Sequence, residues 1–207
     1  MSLSDVSFKA NFVKPVNIQR YEKSGYKPMQ ASFVKCDIFN AEDLKSLEDV
    51  AKQWGAFSYA ENIYSLLSGI KDVCKYHKSY SSHLYMLTLL QDSYEKIDDK
   101  NILGCVLLGE QPKKIEINYL QVNPKYMARR RPRAKNSFFK FIEKYLLFKK
   151  ETEYKGIGRG ILDSIKELYY DKNFIELISD PSAMKFYKEN GFKSQFCLNY
   201  MRWHRKT

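Results

Sequence analysis

Apolar positions along this chain change their period several times, and each change marks an element. "ASFVKCDIF" (31–39) reads as a strand, and Asn40 supplies a cap for a helix over "AEDLKSLEDVAKQWG" that stops at Gly55. Ile63, Leu66, Leu67, Ile70 and Val73 recur at helical spacing through "SYAENIYSLLSGIKDVCKYH". Three extended runs follow at hairpin spacing, "HLYMLTLLQ", "NILGCVLLGE" and "KIEINYLQVNP", joined by the polar segments "DSYEKIDDK" and "QPKK". They predict an antiparallel meander.

Further on, "NSFFKFIEKYLLFKK" (136–150) carries a helical stripe of Phe138, Ile142 and Tyr145, and Ile161, Leu162, Ile165, Leu168 and Tyr169 share one side of a second helix. "NFIELIS" is a short buried strand. "PSAMKFYKENGF" predicts a helix with Pro181 in its first turn and Gly191 at its end, and "KSQFCLNYMRW" a closing strand. Residues 1–30 are polar and weakly periodic, with Pro15, Gly25 and Pro28, and read as an extended or partly disordered N-terminal extension to a single domain over 31–207. Hairpins and crossovers alternate irregularly in this order. The fold class expected is therefore α+β, a mixed, mainly antiparallel sheet flanked by helices, and not a doubly wound sheet.

Composition narrows the class. The 207 residues are 44% hydrophobic and 15% aromatic, enough for one substantial core. Cys36, Cys74, Cys105 and Cys197 form no CxxC pair and read as reduced structural thiols; His77, His83 and His204 lack ligand spacing, so no metal is expected. The chain carries no apolar leader and no 18-residue apolar run, so a cytoplasmic protein without a membrane partner is expected. The formal net charge is +11, and Lys125–Lys155 holds eleven basic residues against three acidic ones. That segment reads either as a solvated helix face with a flexible Arg loop or as a nucleic-acid contact through Arg129, Arg130, Arg131 and Arg133.

"YKGIGRG" (154–160) sets three glycines at the mouth of a helix, where unpaired amides and the helix dipole attract phosphate. A Walker A loop fails for want of a Gly-Lys pair, and GxGxxG counted from Gly156 fails at Ile161. The run Lys155-Gly156-Ile157-Gly158-Arg159-Gly160 resembles the pyrophosphate loop of the GNAT superfamily of acyl-CoA-dependent N-acyltransferases, with Lys for the usual Arg or Gln. "EINYLQVNP" resembles that family's fourth strand with its Val-x-Pro end, and "SAMKFYKENGF" its Ala-x-x-Phe-Tyr-x-x-x-Gly-Phe helix. The likeness runs from about Ala31 to Trp203. Two departures stand out: residues 127–153 are inserted between strand and loop, and Asp180 replaces an Asn.

The resemblance implies an N-acetyltransferase that passes an acetyl or longer acyl group from acetyl-CoA directly to a primary amine on a small molecule or protein. It implies that main-chain groups of Leu120, Gln121 and Val122 hold the pantetheine arm. Amides of Gly156, Ile157, Gly158, Arg159 and Gly160 would hold the diphosphate, with charge from Lys155 and Arg159. Tyr187 would be the general acid, its ordinary pKa of about 10 keeping it protonated at neutral pH, and Glu116 the general base. The inserted Arg cluster would neutralise the 3′-phosphate or gate the cleft. The alternative is a GNAT-fold nucleic-acid-binding module with weak or no catalysis.

Overall fold

A computed structural model of the chain describes residues 11–37, 48, 50–54, 81–89, 101–127, 152–196 and 199–205. Its strands are β1 (Asn11–Glu22), β2 (Gly25–Cys36), β3 (Ser81–Thr88), β4 (Ile102–Glu110), β5 (Lys114–Val122), β6 (Tyr154–Lys155), β7 (Phe174–Ile178), β8 (Lys193–Ser194) and β9 (Tyr200–His204). Two helices are α1 (Ile157–Leu168) and α2 (Met184–Glu189). The strands form one sheet in the order β6-β1-β2-β3-β4-β5-β7-β9-β8. Every neighbouring pair is antiparallel except β5–β7. This is the mixed, mainly antiparallel sheet with helices that the order of elements predicts, and the β3–β4–β5 meander lies at its centre.

The two faces of the sheet bury different sets of side chains because successive residues of a strand point opposite ways. On one face α1 sets Ile157, Ile161, Leu162 and Ile165 into a cluster with Val16, Ile18, Phe33, Tyr85, Leu87 and Leu108. The other face buries Val34, Cys36, Leu84, Met86, Cys105 and Leu107; Val50, Ala51 and Trp54, on a helical stretch at 50–54, are also buried. Cys36 and Cys105 are buried, and burial pushes the Cys105 thiol up to about 12.

Three expectations change. From Asn11 onward the supposed lead-in is a long hairpin that pairs with β3 and contributes Val16 and Ile18 to the core. Its prolines are tolerated because β3 pairs only with Ser32–Cys36, leaving Pro28 on an overhang, and β6 reaches β1 only at Gln19 and Arg20, away from Pro15. The closing strand is two short ones, β8 and β9, paired antiparallel. Finally, α2 begins at Met184, because the Asp180 carboxylate accepts from the Ser182 amide (2.7 Å) and makes residues 180–183 a turn. Most of the two helices expected over 41–77, the 92–100 segment, the 136–150 helix, Arg129, Arg130, Arg131, Arg133, Cys74 and Cys197 lie outside the described residues.

Gly160 shows how closely α1 meets the sheet. A Cβ there would lie 2.6 Å from Val16 Cγ1, inside any van der Waals contact. Gly160→Ala should therefore destabilise the chain by about 1–3 kcal/mol in urea unfolding, outweighing the roughly 1 kcal/mol that alanine gains in helix propensity. Adding Val16→Ala should recover part of the loss.

Candidate functional site at the parting of two strands

Strand β5 changes partner halfway along. Its first residues pair in parallel with β7, from Lys114–Phe174 to Ile117–Leu177, and there the pairing ends although β5 runs on to Val122. The opposite edge stays paired with β4, but its register slips between Leu107/Tyr119 and Leu108/Ile117, so Asn118 is an extra residue on β5. Such a bulge bends its strand and sharpens the twist, which carries β5 away from β7.

Ladder phase decides which main-chain groups face the resulting gap. The Asn123 amide donates to the Leu103 carbonyl (2.8 Å), and the amide and carbonyl of each strand residue share a side that alternates along the strand. Gln121 therefore faces β4, while the backbone groups of Leu120 and Val122 face away from it. Of the three main-chain positions expected to meet a pantetheine arm, Leu120 and Val122 turn their backbone groups away from β4 and Gln121 is committed to the ladder. The Gln121 side chain instead donates to the Val122 carbonyl (2.7 Å).

The glycine loop lies at the far end of β5. Asn123 caps a short 3-10 turn at Pro124–Tyr126, and Tyr126 packs edge-on against Tyr154 with ring centroids 4.9 Å apart. Tyr21 donates its amide to the Glu153 carbonyl (2.8 Å), and Tyr26 its hydroxyl to the Thr152 carbonyl (2.8 Å). At residues 152–154 the chain thus comes back beside the turn where it left β5.

Each glycine of the loop then has its own physical reason. Gly156 takes φ +86° as the N-cap of α1, a conformation in which a side chain is strained. Gly158 lets the Phe186 ring approach, since a Cβ would lie 3.0 Å from Phe186 Cζ and 3.7 Å from Val122 Cγ2. Gly160 lets β1 approach, and its amide donates to the Gly156 carbonyl (2.7 Å). Gly160 is thus a packing residue with a spent amide, a correction to its assignment in the anion cradle. Among the described residues no side chain caps α1, and its first turn holds no acid, so the amides of Ile157, Gly158 and Arg159 have neither a helical acceptor nor a described capping side chain. Arg159 is exposed on this turn, whereas Lys155 sets its Nζ 3.5 Å from the Tyr26 ring centroid, making the cation part of the hairpin contact.

Tyr187 is brought to the same place. Gly191 at φ +86° closes α2 with paired bonds, Gly191 N–H to the Lys188 carbonyl and Phe192 N–H to the Tyr187 carbonyl (both 3.0 Å), a Schellman motif. The accompanying apolar contact is Phe192 on Tyr187, with centroids 5.7 Å apart. The ring, 7% exposed, belongs to the cluster on the α1 face, next to the Phe186 that meets Gly158. Glu116 is half-buried on the opposite face, since it alternates with the core residues Ile115 and Ile117.

Beside Glu116 stands a carboxylate that sequence reasoning passed over. Glu176, 4% exposed, pairs in register with Glu116 and accepts from Lys114, from Tyr200 and from Arg202 (3.1 Å). Burial works against its charge, yet the hydrogen bonds of Lys114 and Tyr200 hold its carboxyl below the usual range. The Glu176 carboxylate in turn holds the Lys114 ammonium above its ordinary value. An acid inside the apolar run "NFIELIS" was a visible signal; its partners, distant in sequence, were not.

No protein-family model matches the chain, and no curated protein matches its sequence. Three solved structures overlap it loosely. The PaiA N-acetyltransferase of Thermoplasma acidophilum, in complex with coenzyme A, has 19% identity over 85% of this chain and 99% of its own, with a TM-score of 0.46. Tetrahymena GCN5 has 13% identity over 79% and 86%, with a TM-score of 0.40. An acetyltransferase of Bacillus cereus has 13% identity over 71% and 93%, with a TM-score of 0.35.

The Glu176 cluster sets an acid limit on stability. A carboxyl with a depressed folded pKa stabilises the fold above its unfolded value, and that contribution is lost as pH falls through the folded value. Unfolding free energy should decline below about pH 4.3, the ordinary glutamate value, and Glu176→Gln should flatten this decline. At pH 7 the variant should be less stable by about 1–3 kcal/mol, read by urea titration at each pH.

Proposed function

We propose that this protein is an N-acetyltransferase that moves an acetyl group from acetyl-CoA directly to a primary amine of a small molecule or protein. The observation that carries the reading is the convergence at Gly158, where the uncapped first turn of α1, Val122 at the end of β5 and Phe186 of α2 come into contact. An anion-binding turn, an unpaired strand edge and a phenol-bearing helix thus meet at one spot.

These residues fit the co-substrate's parts. Amides of Ile157, Gly158 and Arg159 offer donors and a helix dipole to a diphosphate. The amide and carbonyl of Leu120 and the amide of Val122 offer strand-like hydrogen bonds to a pantetheine arm. Bound there, acetyl-CoA supplies an acetyl group activated as a thioester.

The chain's own work is proton traffic and polarisation. The Leu120 amide donates to the thioester carbonyl oxygen as negative charge gathers on it. Glu116 takes the proton from the acceptor ammonium, directly or through water, so that the nitrogen lone pair forms the C–N bond. As the C–S bond breaks, Tyr187 donates its hydroxyl proton to the leaving sulfur, and the second proton lost by the new amide nitrogen returns through water to the phenolate. Glu116 and Tyr187 lie on opposite faces of the sheet, which suits an amine arriving from one side of the gap and a thiol leaving on the other.

Acetyl-CoA at about 1 mM should raise the melting temperature, since a ligand at a hundred times its Kd adds about 2.7 kcal/mol. Tyr187→Phe should keep that shift while thiol release with an amine acceptor falls by about 10²-fold or more. Absence of any stabilisation by the co-substrate would overturn the reading.

A further inference from the structure

Two glutamates occupy one rung of the sheet and are treated differently. Glu116 on β5 and Glu176 on β7 are register partners in the parallel pair, one rung before the pairing ends at Ile117–Leu177, so their side chains leave the same face side by side. Lys114 shares that face, two residues before Glu116 on the same strand, and its Nζ bonds Glu176 Oε1. Tyr200 and Arg202 of β9 bond the other oxygen of Glu176. Among the described residues no donor or cation is bonded to Glu116.

We propose that Glu176 is a positioning residue for Glu116: by holding Lys114 across the strand pair, it keeps the ammonium from bonding Glu116 and leaves that carboxylate open to a proton at the mouth of the gap. Carboxylate basicity falls when an ammonium comes within bonding distance. Lys114 lies close enough for the Glu116 charge to act on it, and a lysine stem could redirect the ammonium by rotamer changes alone. The other described charged or titratable groups on this face are Tyr119 of β5, Arg202, Tyr200 and His204 of β9, Lys193 of β8 and the buried thiols of Cys105 on β4 and Cys36 on β2; the β4 neighbour of Glu116 is Gly109. Lys114 is the only one of these cations on the strand of Glu116 itself.

The role rests on the acyl-transfer reading, but it can be measured without turnover. In the full-length protein labelled with glutamate carrying 13C at the carboxyl, the Glu116 resonance is assigned by its disappearance in Glu116→Gln and followed through a pH titration. Glu176→Gln should lower the Glu116 midpoint by about one pH unit as Lys114 turns to it. Lys114→Met added to Glu176→Gln should return the midpoint to its original value. Glu176→Asp keeps a charge for Arg202 and Tyr200 but draws back from Lys114; it should give a smaller shift in the same direction, and it serves if the Gln variant does not fold.

A Glu116 midpoint that stays put in both Glu176 variants would overturn the proposal, as would a fall that persists once Lys114 is removed. In thiol-release assays the acid limb of the kcat/KM profile should move with the NMR midpoint. A wild-type protein that releases no thiol with any amine would overturn the enzymatic reading on that separate readout.

Discussion

The hydrogen-bonded pairing of β5 with β7 stops at Ile117 and Leu177 while β5 continues, and the candidate site is built around that interruption. A strand in mid-sheet normally has both edges satisfied, and an unpaired backbone edge elsewhere would be a liability for aggregation. Here one extra residue, Asn118, is accommodated on the β4 side, and the bend it introduces parts the two strands. Ladder phase then turns the backbone groups of Leu120 and Val122 toward the parting, where the Val122 carbonyl already accepts from the Gln121 side chain. The interruption lies inside the sheet, with α1 packed over one face, so its exposed main chain is sheltered.

That sheltering explains why the glycine loop has so little freedom in sequence. A helix that must start beside the end of β5 while lying flat on β1 meets obstacles in succession, and each removes a side chain. Gly156 turns the chain through positive φ, Gly158 admits Phe186, and Gly160 admits Val16. Two of the three glycines thus serve packing, yet all three place the uncapped amides of α1 at the strand end. The hairpin of β1 and β2 belongs to the same construction. Val16 is the residue that Gly160 accommodates, and Tyr21 and Tyr26 hold residues 152 and 153 where the chain comes back to the sheet.

Much of this was legible in the sequence, for reasons that can be named. The β3–β4–β5 meander and α1 were read correctly because their apolar positions are dense and their turns polar. Gly191 was read as a helix end because only a residue tolerant of positive φ fits there. The first hairpin was missed because β1 buries only Val16 and Ile18, too few for alternation to register, and because prolines count against strands unless the free edges are known. The amide geometry of Leu120, Gln121 and Val122 could not be read at all, since a one-residue bulge decides which of them faces the gap. Glu176 stood in plain view within an apolar strand, but Lys114, Tyr200 and Arg202 become its neighbours only through the parallel and antiparallel pairings of β7.

The last step concerns why two carboxylates should share a rung. Placed alone, a buried Glu176 would be too costly to keep charged, and its three donors make the charge tolerable. Those donors come from both flanking strands, so the cluster ties β5, β7 and β9 together one rung before β5 and β7 diverge. A parting of strands can be reproducible only if the rungs before it are held firmly, because a slip of one residue would turn every side chain to the wrong face. The same cluster draws the local cations to the buried acid and, among the described residues, leaves its half-exposed neighbour without a bonded one. The stability of the sheet and the chemical availability of Glu116 therefore follow from a single arrangement of charges.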